Sequence, residues 1–461
     1  MLLAALRFRT TVASGSVVIA LLAVGEPVLA VSGDVPQAAE RATREAASRP
    51  RLAWLQQPGT WQLNWSRPLV AQASVPAAGL VAWLDTGAVH GVRAADGLPA
   101  WRRVPAGDTL LFPRSALPRD GGLRPGAISP ATISSVGHLL YAVIDAGRLG
   151  PLLVCLDCSD TAEGRLLWSA SPPANFVAFD GPPVADDRLC VVVVRGSGDR
   201  SPLEVVAHDA HDGVVVWRRP LATAMARDGI DHARGRRQAT FAEGLVVVAD
   251  HAGSVWAVDR DGRPAWRHAY EIPFDAVDRP TAEDCGPILA APVVAAREGL
   301  VVAARDRGGL MVLDPVPQPP RLRWETATGE CLRIVGVADA GVVVEDRTAA
   351  RVGDIIAYDS VTGRMAAMRQ AATNVRGPAV MAGGVILQPV AEDLAGRQRL
   401  AITAVATTTL QPLGKPYSFS PADSGAAKVD APERQAVSLT VTPSAVIVAS
   451  SSQLVSLGPA P

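Results

Sequence analysis

Val206-Ala207-His208-Asp209-Ala210-His211-Asp212-Gly213-Val214-Val215-Val216-Trp217 is the stretch on which the fold turns. An apolar strand runs into Asp209, the chain reverses around Gly213, and a second apolar strand ends on Trp217. An Asp entering a turn can accept backbone N–H groups two residues on, and Gly supplies the φ > 0 position that closes a hairpin. The same grammar recurs: HGVRAADGLPAW ends at Trp101, VCLDCSDTAEGRLLW at Trp168, WAVDRDGRPAW at Trp266 and MVLDPVPQPPRLRW at Trp324. Gly97, Gly164, Gly213 and Gly262 each stand four residues before their Trp. A degenerate copy, IAYDSVTGRMAAM, has Ala367 at the Trp position.

Two more apolar runs precede each hairpin, as 291–296 and 299–304 do ahead of Trp324. Four short strands repeating at roughly 45–50 residues, with insertions, define the blades of a propeller. Third strands recur around 88–92, 152–156, 203–207, 254–258, 310–313, 355–358, 400–405 and 453–457. The last has no fourth strand after it. At the other end of the chain, Trp65-Ser66-Arg67-Pro68-Leu69 mirrors Trp217-Arg218-Arg219-Pro220-Leu221. Residues near 60–66 are therefore expected to complete the final blade, which closes the ring and hides its edges. The expected fold is all-β: a single propeller of four-stranded blades over 59–461. Eight blades are expected, with seven as the alternative because the last two are poorly patterned. Trp65, Trp101, Trp168, Trp217, Trp266 and Trp324 then lie on outermost strands, where an indole can cover the seam to the next blade. Trp54, Trp61, Trp83 and Trp256 fall outside this rule.

The rest of the composition is consistent with that reading. Of 461 residues, 48% are hydrophobic and 19% charged, enough for a large core. A formal net charge of −1 argues against nucleic acid or an anionic membrane as the main partner. At the N terminus, Arg7 and Arg9 precede an apolar run over 12–24, then Glu26-Pro27 and Val28-Leu29-Ala30. A basic head, short apolar core and small-x-small end describe a secretory signal over 1–30. The alternative, a retained anchor, meets the objection that a span needs about 20 apolar residues. A lipid anchor needs a cysteine just beyond the apolar run, whereas the first is Cys155. Residues 31–58 read as a partly helical or flexible linker. The protein is thus expected to be exported: extracytoplasmic and secreted, or attached to the cytoplasmic membrane by its N-terminal segment.

The run Asp-x-x-x-Gly-x-x-x-Trp after an apolar strand resembles the repeat of the PQQ-like propeller superfamily. Asp209, Gly213 and Trp217 match it best, and Asp359 with Gly363 match its first two positions. The resemblance covers roughly 60–461 and implies the fold. It implies no one function, because the superfamily includes quinoprotein dehydrogenases, BamB-type scaffolds of outer-membrane protein assembly and other exported proteins. Its enzymes hold pyrroloquinoline quinone with calcium, carboxylate and amide ligands, a catalytic Asp and usually adjacent cysteines. Here no two cysteines are adjacent, and asparagine occurs only as Asn64, Asn175 and Asn374. No catalytic residue, cofactor or metal is therefore expected, and the quinoprotein-like oxidoreductase or small-ligand propeller is kept as the alternative.

Three further features carry chemistry. His208 and His211 flank carboxylates and could ligate a metal, but they also sit in a repeat turn that needs Asp and Gly anyway. Cys155 and Cys158 form a Cys-x-x-Cys pair without a following helix to activate a thiol, so a disulfide or plain packing is expected. Cys285 and Cys331 lie about one blade apart, and a staple between neighbouring blades is conceivable if their Cα atoms come within about 7 Å. Finally, arginines crowd the long loops of one face: Arg195, Arg200, Arg227, Arg234, Arg236, Arg237, Arg305 and Arg307. Loops on a rigid frame concentrate recognition, and guanidinium groups suit carboxylates or phosphorylated polymers. The expected role is a monomeric, non-enzymatic scaffold for an envelope protein or polymer, touching membrane only through an uncleaved N-terminal segment. A solvated mixed surface is the alternative, since Asp199, Asp228, Asp231 and Asp306 lie beside these arginines, as Glu345 and Asp346 lie beside Arg347 and Arg351 of the same loop set.

Overall fold

The computed structural model describes residues 12–13, 16–17, 50–67, 73–77, 79–84, 89–103, 133–145, 150–159, 162, 164–179, 181–196, 203–221, 239–249, 254–269, 294–297, 300–304, 309–316, 319–327, 332–338, 341–346, 353–371, 375–394, 397–419, 437–450 and 454–459. Residues 1–50 and 51–461 form separate units. In the first, Val12–Ala13 pairs with Ser16–Val17. No helix among the described residues is long and apolar enough to cross a membrane.

The second unit is an eight-bladed propeller of antiparallel sheets, all but the eighth in sequential strand order. The third blade shows the pattern. Leu189–Gly196, Leu203–Asp209 and Val215–Leu221 pair in turn, and Phe176–Phe179 and Val184–Ala185 share the innermost position. Innermost strands of successive blades lie side by side around the ring, as Ala73–Ala77 does with Ile133–Val136 and with Val437–Val441. The eighth blade takes three strands from the C-terminal end and its outermost, Trp61–Arg67, from the N-terminal end, paired with Leu454–Pro459. The expected closure is thus formed.

Why the hairpins look alike is local. Asp209 Oδ1 accepts the N–H groups of His211 and Asp212, while Gly213 holds φ 75°. Asp259 and Asp359 repeat the Asp bonds, and Gly262 and Gly363 the positive φ. An αL residue at the turn brings a bulge with it, and the ladder shifts register beside the turn in blades one to six. The shift places each Trp opposite a small or slim residue: Gly91, Cys155, Ala207, Ala257 and Val312. A Cβ on Gly91 would lie 2.4 Å from the Trp101 indole, which explains the glycine there.

The core is divided among the seams. Eight apolar clusters occupy the eight interfaces between neighbouring blades, and seven of them contain one of Trp61, Trp65, Trp101, Trp168, Trp217, Trp266 and Trp324. Trp61, which the repeat does not account for, fills the seam between blades seven and eight beside Tyr417. The packed body also begins ahead of residue 59. The 3₁₀ turns Pro50–Gln56 and Pro58–Thr60 lie across the hairpin turns of blades seven and eight, with Leu55 fully buried. Trp54 Nε1 donates to Pro443 O there, and Leu52 packs on Gly383.

Candidate interaction surfaces and the ring interior

Five of the seven seam tryptophans rest on the turn glycine of the following blade. A Cβ built on Gly97 would meet Trp65 at 2.4 Å, on Gly164 Trp101 at 2.8 Å, on Gly213 Trp168 at 2.6 Å, on Gly262 Trp217 at 2.5 Å and on Gly363 Trp324 at 2.5 Å. The indole N–H then donates to a carbonyl of that same turn: Trp65 to Ala94, Trp168 to Ala210, Trp217 to Arg260 and Trp324 to Ser360. Apolar area, a close backbone approach and one hydrogen bond thus fix the blade angle together. Ion pairs reinforce the seam between blades three and four on its turn side, Asp186–Arg260 at 2.7 Å and Arg188–Asp261 at 3.3 Å. These groups are structural.

The histidine pair separates. His208 is buried, stacked on Trp168 with 5.9 Å between ring centroids, and its Nδ1 lies 2.9 Å from Gly213 O. Burial holds its pKa below the ordinary imidazole value. His211 is exposed and places Nε2 3.1 Å from Asp187 O. Among the described residues, no three His, Cys, Asp or Glu side chains gather to hold a metal.

No disulfide joins Cys155 and Cys158; both are free and buried, as is Cys190. Of the two expectations, packing is the one seen, because side chains three residues apart on extended chain point to opposite faces. Cys155 packs with Tyr141, Trp168 and Cys190 between blades two and three, whereas Cys158 packs with Trp101 and Leu156 between blades one and two. Burial pushes the Cys155 and Cys158 thiols up to about 12 and that of Cys190 well above the ordinary value. Tyr141 and Trp168 both donate to Ala210 O, leaving this cluster as packing, with no activated nucleophile. Cys285 and Cys331 lie outside the described residues.

Of the candidate arginines, Arg195 ends the second strand of blade three, half-buried and paired in register with Leu203. Arg200, Arg227, Arg234, Arg236, Arg237, Arg305 and Arg307 lie outside the described residues. In blade six the position matching Arg195 is Glu345, and a buried network surrounds it that sequence reading missed. Glu345, fully buried, accepts from Arg333 Nε at 2.8 Å and from the Ala379 N–H at 3.4 Å, and Arg333 Nη2 donates to Ala379 O. Gln388 Nε2 donates to Gly353 O, and Asp354 accepts the Ala371 N–H at 2.7 Å. The network bridges blades six and seven, where Ala367 leaves the seam without a tryptophan. The signal was present as that missing Trp, but the pairing of residues 333 and 345 needs the register of two strands.

The ring interior gives the test for a quinone–calcium site. The innermost strands read ASVPA, ISSV, FVAF with VA, TFA, VAAR, LRIVGVA, VMA and VSLTV from blade one to blade eight. They carry no Asp, Glu, Asn, Gln or His, and their charged residues are Arg297 and Arg333. Calcium takes six to eight oxygen ligands, largely carboxylate and amide. This donor set does not fit such a site, and no step is derived through the group.

Residues 133–389 match the family described as outer membrane protein assembly factor BamB. None of the curated proteins compared with the chain matches it in sequence. Among solved structures, BamB from Moraxella catarrhalis is similar at 15% identity and TM-score 0.54, over 86% of this chain and 99% of that one. The quinohemoprotein alcohol dehydrogenase ADHIIG from Pseudomonas putida HK5 is similar at 15% identity and TM-score 0.56, over 91% and 82%. The computationally designed Ika8 protein is similar at 12% identity and TM-score 0.52, over 86% and 97%. At these identities the likeness is one of fold.

Proposed function

The chain belongs to the family described as outer membrane protein assembly factor BamB, and from that premise we propose that it is a non-enzymatic scaffold of the cell envelope that holds a partner protein or polymer. The observation that carries this reading is where the chain spends its extra length. Residues 104–132, 222–238, 270–293 and 420–436 each join an outermost strand to the next innermost one, so all four enter and leave the ring on one face. The opposite face is spanned by short hairpin turns and by the Leu55–Trp61 packing. A ring that elaborates one face, over described innermost strands that carry no carboxylate or amide side chain, suits recognition better than catalysis. In this reading Arg195, Arg200, Arg305 and Arg307, with the cluster Arg227, Arg234, Arg236 and Arg237, supply the cationic contacts. Export through residues 1–30 would place them outside the cytoplasm.

The test uses the full chain as bait in an envelope extract, beside a variant with Arg227, Arg234, Arg236 and Arg237 changed to Gln. The scaffold reading expects a discrete partner that the variant loses while its circular dichroism stays unchanged. Undiminished capture by the variant removes the arginine face from the proposal. A quinone absorbance with dye-linked oxidation after adding pyrroloquinoline quinone and calcium replaces the scaffold with an oxidoreductase.

A further inference from the structure

The outermost strands differ from the chain as a whole in the sign of their charge. The chain balances 44 Lys and Arg against 45 Asp and Glu. The eight outermost strands (WQLNWSR, PAWRR, RLLWSA, VVWRRPL, PAWRHA, RLRWETA, MAAMR and YSF) hold ten arginines and a single carboxylate, Glu325. Charged side chains, cations above all, guard open sheet edges against self-association. Edge protection therefore accounts for the arginines wherever they stand alone, and a docking role has to come from what stands beside them.

Blades two and three add a second feature. Their outermost strands, Arg165–Ala170 and Val215–Leu221, like those of the other blades, pair on one side only among the described residues, so each presents an open backbone edge there. Beside those edges stand exposed apolar side chains: Leu166 at 54%, Val214 at 62%, and Val215 and Val216 at 44% each. The cations beside them are Arg165, whose side chain is 68% exposed with Asp157 3.9 Å away, and Arg218, which pairs with Glu204. We propose that the rim of blades two and three docks an extended acidic and apolar segment of a partner protein, added as a further strand to one of these edges. Open N–H and C=O groups complement a peptide backbone, the valines take its alternate apolar side chains, and the arginines take its carboxylates. A lipid surface fits less well, because the cationic outer strands follow one another around the circumference and a plane cannot meet them together. The inference rests on the scaffold reading for its kind of partner, but the rim is a separate surface from the loop face.

The experiment follows fluorescence anisotropy of the full-length protein with a labelled decapeptide of alternating Glu and Val. Three companions accompany it: the same peptide N-methylated at alternate amides, a Lys–Val decapeptide, and phosphatidylglycerol vesicles. Saturable binding of the Glu–Val peptide is expected. The variant carrying both Arg165→Glu and Val216→Glu should weaken it about tenfold or more, with one of the two single variants reproducing the loss and so naming the edge, and raised salt should weaken the charged part. N-methylation should abolish it, and Arg321→Glu on the distant rim of blade five should leave it unchanged. Equal binding of the methylated peptide overturns strand addition, and equal binding of the Lys–Val peptide overturns charge recognition. Vesicle binding without peptide binding, or no binding at all, overturns the proposal, whereas the Arg234–Arg237 variant tests the loop face independently. Because Arg165 and Val216 are exposed, circular dichroism of their variants should match the parent.

Discussion

Gly213 and Gly244 hold nearly the same backbone angle, φ 75° and 77°, but only Gly213 has a tryptophan over it. Gly244 opens onto space, with nothing within 4 Å of the point where a Cβ would stand. Gly244→Ala therefore costs only the left-handed strain of an L-residue, about 1–2 kcal/mol. Gly213→Ala adds a Cβ that would lie 2.6 Å from Trp168 Cδ2, so the indole must shift and its hydrogen bond to Ala210 O lengthens. Overpacking of that kind costs a further 1–3 kcal/mol or so. Urea unfolding should give a midpoint for Gly213→Ala clearly below that of Gly244→Ala, with similar slopes. Equal midpoints would show that the seam contact contributes nothing. The requirement for glycine was legible in the sequence as the constant Gly-to-Trp step; that the Trp meeting each glycine comes from the preceding blade was not, because sequence spacing says nothing of packing between repeats.

At the scale of the element, third and fourth strands were legible because Asp, Gly and Trp mark both ends of their hairpin. Innermost strands were less so. Val184–Ala185 and Val380–Ala382 are too short to show a period, and the fourth strand of blade seven, Tyr417–Phe419, carries neither signature residue. The odd spacing of Cys155 and Cys158, the second just past the strand Pro151–Asp157, also decides the thiol chemistry, by sending them into different seams. In a Cys285→Ser/Cys331→Ser variant, the three remaining thiols should resist a disulfide reagent at pH 8 in the folded protein and react fully in denaturant. Burial keeps both thiols of the Cys-x-x-Cys pair protonated up to about 12, whereas an unfolded thiol ionises near 8.5. The folded state thus binds more protons across that window, so this contribution to stability is full below about pH 8.5 and declines as pH rises toward about 12. Rapid labelling at pH 8, or unfolding midpoints that do not fall over the window relative to a Cys155→Ala/Cys158→Ala variant, would contradict the burial argument.

At the scale of the whole molecule, the two ends of the chain meet in one sheet. Leu454–Pro459 is an outer edge until Trp61–Arg67 pairs with it, and the same segment brings Trp61 to one seam and Trp65 to the next. Leu55 and Trp54 extend the effect across blades seven and eight. Burying Leu55, Trp61 and Trp65 is worth about 1.5–3 kcal/mol each, a large part of the roughly 5–15 kcal/mol that separates folded from unfolded domains. Residues 50–58 carry no strand period, so their packing is visible only once Leu55 meets the eighth blade. Removing residues 1–67 should therefore yield a chain that unfolds at lower temperature, loses cooperativity and self-associates along the bared Leu454–Pro459 edge. Adding a peptide of residues 51–67 should restore a monomer and part of the lost stability, whereas the same peptide with Leu55, Trp61 and Trp65 changed to Ala should not. Light scattering and thermal unfolding decide it: a truncated chain that stays monomeric with the parent's midpoint would mean that the ring is held by its seven chain-continuous blades alone.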